Sequence, residues 1–148
     1  DYILFQDADL EYSPTDYNLL IKPIIDFGAD VVMGTRFSGS TFTRVHYFWH
    51  KVGNRSITFI FNLINNTTFT DIYSCYLIYR KSLVPMEKIV TKGWEQHAEI
   101  LSLAVKNGNI FYEVPITYRG RSYEEGKKIR AHHTFKIVYT IIKKYFFS

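Results

Sequence analysis

Apolar residues fall along this chain in short runs that alternate with 3.6-residue stripes, the pattern of an α/β protein. Residues 2–5, Tyr-Ile-Leu-Phe, form a brief buried-strand run that stops at Gln6-Asp7-Ala8-Asp9. Ser13 then fits a helix N-cap, Pro14 the first helical position, and Asp16 the positive helix end. Tyr17, Leu20, Ile21 and Ile24 follow at helical spacing, with Pro23 expected to kink or divide the helix and Gly28 to close it. A second strand is predicted over 30–33 and runs straight into Gly34-Thr35-Arg36-Phe37. From 46 to 64 the pattern is helical, and Tyr47, Phe48, Val52, Ile57, Phe59, Ile60, Leu63 and Ile64 give it a broad apolar surface. Such a helix packs in a core or faces a membrane or a partner. Further on come a strand over 74–79, a helix from about Gly93 to Asn107, and a strand over 110–114. The last helix, 134–147, places Phe135, Val138, Ile141, Ile142 and Tyr145 on one side, with Lys136, Lys143 and Lys144 on the other side or its flank. It suits either a membrane surface or ordinary packing against the domain.

Composition narrows this only modestly. A length of 148 residues suits one domain with a sizeable core. The net charge of +4, with most of the excess between Arg119 and Lys144, favours anionic partners. These cations cluster in one late loop and helix rather than interleaving with aromatics on a strand platform, which argues against nucleic acid. With Cys75 alone the chain has no internal disulfide and no cysteine zinc site, as expected in a reducing cytosol. No apolar run is long enough to span a bilayer.

The candidate chemistry lies where strands end. Asp7 and Asp9 sit at the carboxyl end of a strand, where ligands bind in open α/β sheets. Glu11 alternates with them, and hard oxygen ligands of this kind suit Mg²⁺ or Mn²⁺. The plainer account is a solvated turn. Gly34 allows close backbone approach to a ligand, and Arg36 beyond it suits phosphate. Asp71 fits either a turn cap or a general base for an attacking hydroxyl. Glu95 and Glu99 lie one helical turn apart with His97 between them; either acid can face a cleft, although exposed helix acids are commoner. Residues 119–130 carry five cations and two glycines, a loop suited to closing over phosphates.

Four of these pieces, in order, resemble family 2 glycosyltransferases of the GT-A fold, in particular polyprenyl-phosphate sugar transferases such as dolichyl-phosphate mannose synthase. They are DADLEYSP at 7–14, GTRF at 34–37, DIYSCYLIYRKSL at 71–83 and EVPITYRGRSYEEGKKI at 113–129. The resemblance implies an α/β fold with a GT-A-like mixed sheet flanked by helices, residues 1–130 forming a partial catalytic domain and 131–148 a basic amphipathic helix. It further implies that the N-terminal nucleotide-binding strands are missing, so that the fragment by itself would be inactive. Asp7, Asp9 and Glu11 would hold Mg²⁺ or Mn²⁺ on the diphosphate of a nucleotide-sugar donor. Arg36, Arg121, Lys127 and Lys128 would contact phosphate, and Asp71 and Glu95 are the catalytic candidates. Ser74-Cys75-Tyr76-Leu77 replaces the family's Gly-Phe-Arg, so an arginine expected there is absent. The implied activity is inverting transfer to a polyprenyl-phosphate or glycan acceptor, by a cytoplasmic protein peripheral at the inner face of the membrane. The competing expectations are a sugar-phosphate nucleotidyltransferase and a non-catalytic membrane-surface or interaction module.

Overall fold

The computed structural model describes residues 1–8, 10–37, 48–120 and 133–147. Four strands, β1 (Tyr2–Leu4), β2 (Val31–Thr35), β3 (Leu77–Arg80) and β4 (Phe111–Pro115), form one mixed sheet in the order β1-β3-β2-β4. β3 runs antiparallel to both neighbours, pairing Ile3 with Tyr79 and Val32 with Ile78, whereas β2 and β4 are parallel. The carboxyl ends of β1, β2 and β4 and the amino end of β3 therefore meet at one edge. Pro115 closes β4 at the rim of the sheet, where a missing ladder donor is tolerated.

Side chains alternate across this sheet with the two-residue period of a strand. Val31, Met33, Leu77 and Tyr79 face one core, which they share with Ile57 and Phe61 of α2 (Phe48–Asn65), Leu101 and Ala104 of α3 (Gln96–Asn107), and Ile137 and Ile141 of α4 (His133–Phe147). Val32, Ile78 and Val114 face the other, with Leu20 of α1 (Tyr17–Phe27). The outcome is the expected α/β mixed sheet with helices on both faces.

The helix ends follow their local chemistry. Ser13 Oγ accepts from the Thr15 N–H at 3.4 Å and opens a short 3₁₀ turn at Pro14–Asp16 that leads into α1. Asp16 has a different task from the one expected, since its carboxylate makes no cap bond and instead accepts from the Thr117 N–H at 2.7 Å beyond β4. Gly28 ends α1 at φ 65°, a left-handed conformation that glycine adopts without a Cβ penalty. Pro23 does not divide α1. It costs one intrahelical bond, and its buried ring offsets that loss.

α4 packs only part of its expected apolar stripe inward: Val138 and Ile141 meet the core, and the buried face is rotated toward Ile137 and Thr140. Ile137, Thr140 and Ile141 are buried, while Phe135, Ile142 and Tyr145 are exposed. The reason is Lys144, whose ammonium lies 2.7 Å from the buried carboxylate of Glu99 and donates to the Lys88 carbonyl at 2.6 Å. Once Glu99 is buried, leaving it without this partner would strand a charge in the core. Glu99 is thus wholly buried and not the exposed helix acid that base rates favour. It also accepts from the backbone N–H groups of Val90 and Thr91 and from the Thr91 hydroxyl. Burial pushes its carboxyl up, but Lys144 and these hydrogen bonds together hold it below its ordinary value. Among the described residues no helix is long and apolar enough to cross a membrane.

Candidate functional site at the sheet edge

Asp7 follows β1 as an exposed carboxylate, fixed from behind by its own backbone. Its N–H donates to Cys75 Sγ at 3.1 Å, tying the end of β1 to the segment that enters β3. Gln6, beside it, accepts on Oε1 from the hydroxyls of Tyr17 at 2.9 Å and Tyr76 at 2.7 Å. Leu10 stands at φ 63° with its side chain in solvent, a strained conformation in the middle of the acidic loop. Glu11 returns to the protein, where the Tyr118 hydroxyl donates to its carboxylate at 3.0 Å and the Arg119 N–H to its carbonyl at 2.9 Å.

A tyrosine cluster supports this loop. Tyr12 packs on Tyr76 and Tyr118 with ring centroids 5.0 and 5.1 Å away, and Tyr17 packs on Tyr76 at 5.8 Å. Tyr12 Oη also accepts from the Cys75 N–H at 3.1 Å. Burial raises Tyr12 and Tyr76 well above the ordinary phenol range, and burial raises Tyr118 to about 12 against the opposing pull of Arg36. These hydroxyls therefore keep their protons, and Tyr76 and Tyr118 donate them to Gln6 and Glu11. Nothing in the sequence showed that they cluster: Tyr17 stood out only as part of a helical stripe, and the spacing 12, 17, 76, 118 has no local period.

Arg36 and Asp71 form the second half of the site. Asp71 Oδ2 accepts from Arg36 Nε at 2.6 Å and Oδ1 from Nη2 at 2.8 Å, a bidentate pair in which Arg36 is 8% exposed and Asp71 fully buried. The Arg36 and Tyr73 N–H groups add bonds to the same two oxygens, at 3.1 and 3.3 Å. Burial works against the guanidinium charge, yet Asp71 holds Arg36 well above its ordinary pKa. Arg36 also lies 5.1 Å over the Tyr118 ring, so the Glu11 and Asp71 sides of the edge meet through Arg36 and Tyr118. With four donors on two oxygens, Asp71 has no lone pair left for a substrate hydroxyl in this arrangement. Gly34 is needed for packing: a Cβ there would stand 2.8 Å from Ile116 Cγ2 and 2.9 Å from Tyr76 Cβ.

Glu95 immediately precedes α3 and is half-buried. The neighbouring Trp94 carbonyl accepts from the Tyr73 hydroxyl, which links Glu95 to the loop that carries Asp71. His97 packs against Phe5 and Tyr73, and its buried Nε2 has no hydrogen-bond partner among the described residues. Burial pushes the imidazole down to about 4; Asp71 opposes this and Arg36 adds to it. Asp7, Glu11, Arg36 and Asp71 thus gather at one sheet edge, with Glu95 adjoining through Trp94. Asp9, Arg121, Lys127 and Lys128 lie outside the described residues. Among the described residues no group of three or more His, Cys, Asp or Glu converges as a metal site. Asp7 and Glu11 supply hard oxygen donors on either side of Asp9, which is the ligand chemistry that Mg²⁺ and Mn²⁺ require.

A sequence profile described as Glycosyl transferase family 2 matches residues 1–85, from β1 through β3 and just beyond. The chain belongs to glycosyl transferase family 2. Its relatives include a UDP-N-acetylglucosamine–dolichyl-phosphate N-acetylglucosaminyltransferase of Methanococcus voltae, 30% identical over 138 residues, 92% of this chain and 55% of the relative. An uncharacterized protein of Methanocaldococcus jannaschii is 26% identical over 149 residues, 98% of this chain and 60% of that protein. The chain thus spans little more than half the length of these relatives. Its fold is similar to that of glucosyl-3-phosphoglycerate synthase from Mycobacterium tuberculosis, solved with phosphoglyceric acid, with a TM-score of 0.61 at 14% identity over 97% of this chain and 49% of that one. The mixed sheet is thus of the GT-A type that the resemblance implied.

Proposed function

We propose that the protein carrying this chain is an inverting, metal-dependent glycosyltransferase that moves a sugar from a nucleotide-sugar donor to a polyprenyl-phosphate acceptor. The observation that carries this reading is the family match over residues 1–85, the segment that contains both the acidic strand end at Asp7 and the Arg36–Asp71 pair. Asp7, Asp9 and Glu11 would hold the cation, and Arg121, Lys127 and Lys128 would meet the donor phosphates. A bound Mg²⁺ or Mn²⁺ supplies charge neutralisation at the diphosphate leaving group. An acceptor phosphate oxygen attacks the anomeric carbon from the opposite face, and the bond to the nucleoside diphosphate breaks, its electron pair leaving with the diphosphate.

The state of Asp71 favours a phosphate acceptor. An anionic oxygen needs no proton removed, whereas a sugar hydroxyl needs a base, and both Asp71 oxygens are already occupied by donors. The Methanococcus relative is named for a dolichyl-phosphate acceptor, which agrees. Exposed Phe48, Trp49, Phe59 and Leu63 on α2, and Phe135 and Phe146 on α4, suit peripheral attachment at the cytoplasmic face of a membrane.

The test is transfer of labelled sugar from a panel of nucleotide sugars to polyprenyl phosphate by the full-length protein, with Mg²⁺ or Mn²⁺ and then with EDTA. Chelation is expected to abolish turnover, and Asp7→Asn to lower it by about 100-fold or more. Full activity in EDTA would remove the metal from the mechanism. Binding to anionic vesicles without metal-dependent affinity for any nucleotide sugar would favour the membrane-module alternative instead.

A further inference from the structure

We infer that Glu113 is a positioning residue of this site, setting both members of the Arg36–Asp71 pair from beneath. The inference rests on the glycosyltransferase reading for what the pair does, and on geometry alone for what Glu113 does. Glu113 is on β4, on the same sheet face as Phe111, and its carboxylate reaches the loop 70–71. Oε1 accepts from the N–H groups of Thr70 at 2.9 Å and Asp71 at 3.0 Å, and Oε2 accepts from the Thr70 N–H at 3.0 Å and the Thr70 hydroxyl at 2.8 Å. One carboxylate thus fixes the backbone from which Asp71 reaches Arg36.

The same carboxylate sets the direction of a longer hydrogen-bond chain. An ionised carboxylate only accepts, so the Thr70 hydroxyl must donate its single proton to Glu113. Thr35 and Thr70 are 2.8 Å apart at their hydroxyls; with the Thr70 proton committed, the Thr35 hydroxyl is the donor between them. Thr35 Oγ1 in turn accepts from the Phe37 N–H at 3.2 Å. The chain therefore runs Phe37 to Thr35 to Thr70 to Glu113, bracketing Arg36 on both sides along the backbone. Polarised chains of this kind strengthen one another in a partly buried setting. Burial raises the Glu113 carboxyl above its ordinary value while the Thr70 and Asp71 donors act to lower it.

Glutamine at this position is nearly isosteric and presents an NH₂ to donors. In Glu113→Gln the amide oxygen can still accept from the Thr70 and Asp71 N–H groups, but the NH₂ then faces the Thr70 hydroxyl, which must accept from it, so the Thr35–Thr70 bond reverses and the negative charge that anchors loop 70–71 is lost. In the full-length protein we expect Glu113→Gln to melt within a few degrees of wild type, to keep the donor KM within about twofold, and to lose kcat by about 100-fold. Amide exchange at Thr70 and Asp71 is expected to quicken at least tenfold relative to Val31 and Val32. A role confined to stability would instead lower the melting temperature and the active fraction together, with kcat per folded molecule unchanged, and that result would overturn the inference. Unchanged exchange at Thr70 and Asp71 would also overturn it, whether or not the wild type transfers sugar. Absence of transfer by the wild type, with quickened exchange in the variant, would count against the enzyme reading and leave the clamp standing.

Discussion

At the level of single residues, the site is built from partners far apart in the chain. The Arg36–Asp71 pair spans 35 positions and the Asp7–Cys75 contact 68. Arg36 and Asp71 each stood out in the sequence for residue type and place beside a strand, but no local pattern shows that they neutralise each other. That fact depends on β2 and β3 pairing. His97 gives a test at this scale. Its imidazole, buried and pushed from 6.5 to about 4, stays neutral in the folded protein, whereas the unfolded chain takes up a proton as pH falls below 6.5. Stability is therefore complete above about pH 6.5 and is lost progressively down to about pH 4, by up to about 3 kcal/mol. Urea unfolding at pH 7 and pH 4.5 should show this loss in wild type and a smaller one in His97→Gln; equal losses in the two proteins would assign the acid sensitivity elsewhere.

At the level of elements, hydrophobic periodicity located every strand and α-helix of the described residues to within a few positions, because period 2 and period 3.6 are local properties, whereas the short 3₁₀ turns at Lys81–Leu83 and Met86–Lys88 left no such signal. It went astray where a polar contact overrode the apolar stripe. α4 was legible as a helix, but its inward face only in part, since that face is set by Lys144 finding Glu99 on another helix. The beginning of β3 was placed three residues early: Asp71 accepts from the Tyr73 N–H in the turn at 72–73, and residues 74–76 approach the sheet without joining its ladder. Lys144→Met offers a check. Removing the ammonium leaves a buried carboxylate short of its charge partner, and breaking such a pair costs about 3–5 kcal/mol. Thermal unfolding should drop by many degrees, and Glu99→Gln/Lys144→Met together should recover part of it. A single variant as stable as wild type would mean that α4 is held by its apolar contacts alone.

Over the whole molecule, the decisive choice is the insertion of β3, in the opposite direction, between β1 and β2. Residues 71–76 thereby enter the sheet between the two segments that leave it at 5–7 and 35–37. The N–H groups of Asp7, Gly34, Arg36 and Cys75, each bonded across this seam or to its tyrosines, should exchange with a common opening free energy. Ile78→Ala, in the middle of β3, should speed all four by the same factor. A spread of more than about tenfold among them would show that the halves of the site open separately.

β3 also acts as a ruler. Cys75, Tyr76 and Asp71 lie on one stretch of chain leading into it, and they touch Asp7, Gln6 and Arg36 respectively. A slip that keeps the same side chains facing each core must move by two residues, a step of about 6.6–6.8 Å. Such a step would carry all three contacts out of reach at once. The alignment of one four-residue strand therefore decides, in an all-or-nothing way, whether the edge is assembled, and no slightly misregistered form of it can persist as a half-working intermediate.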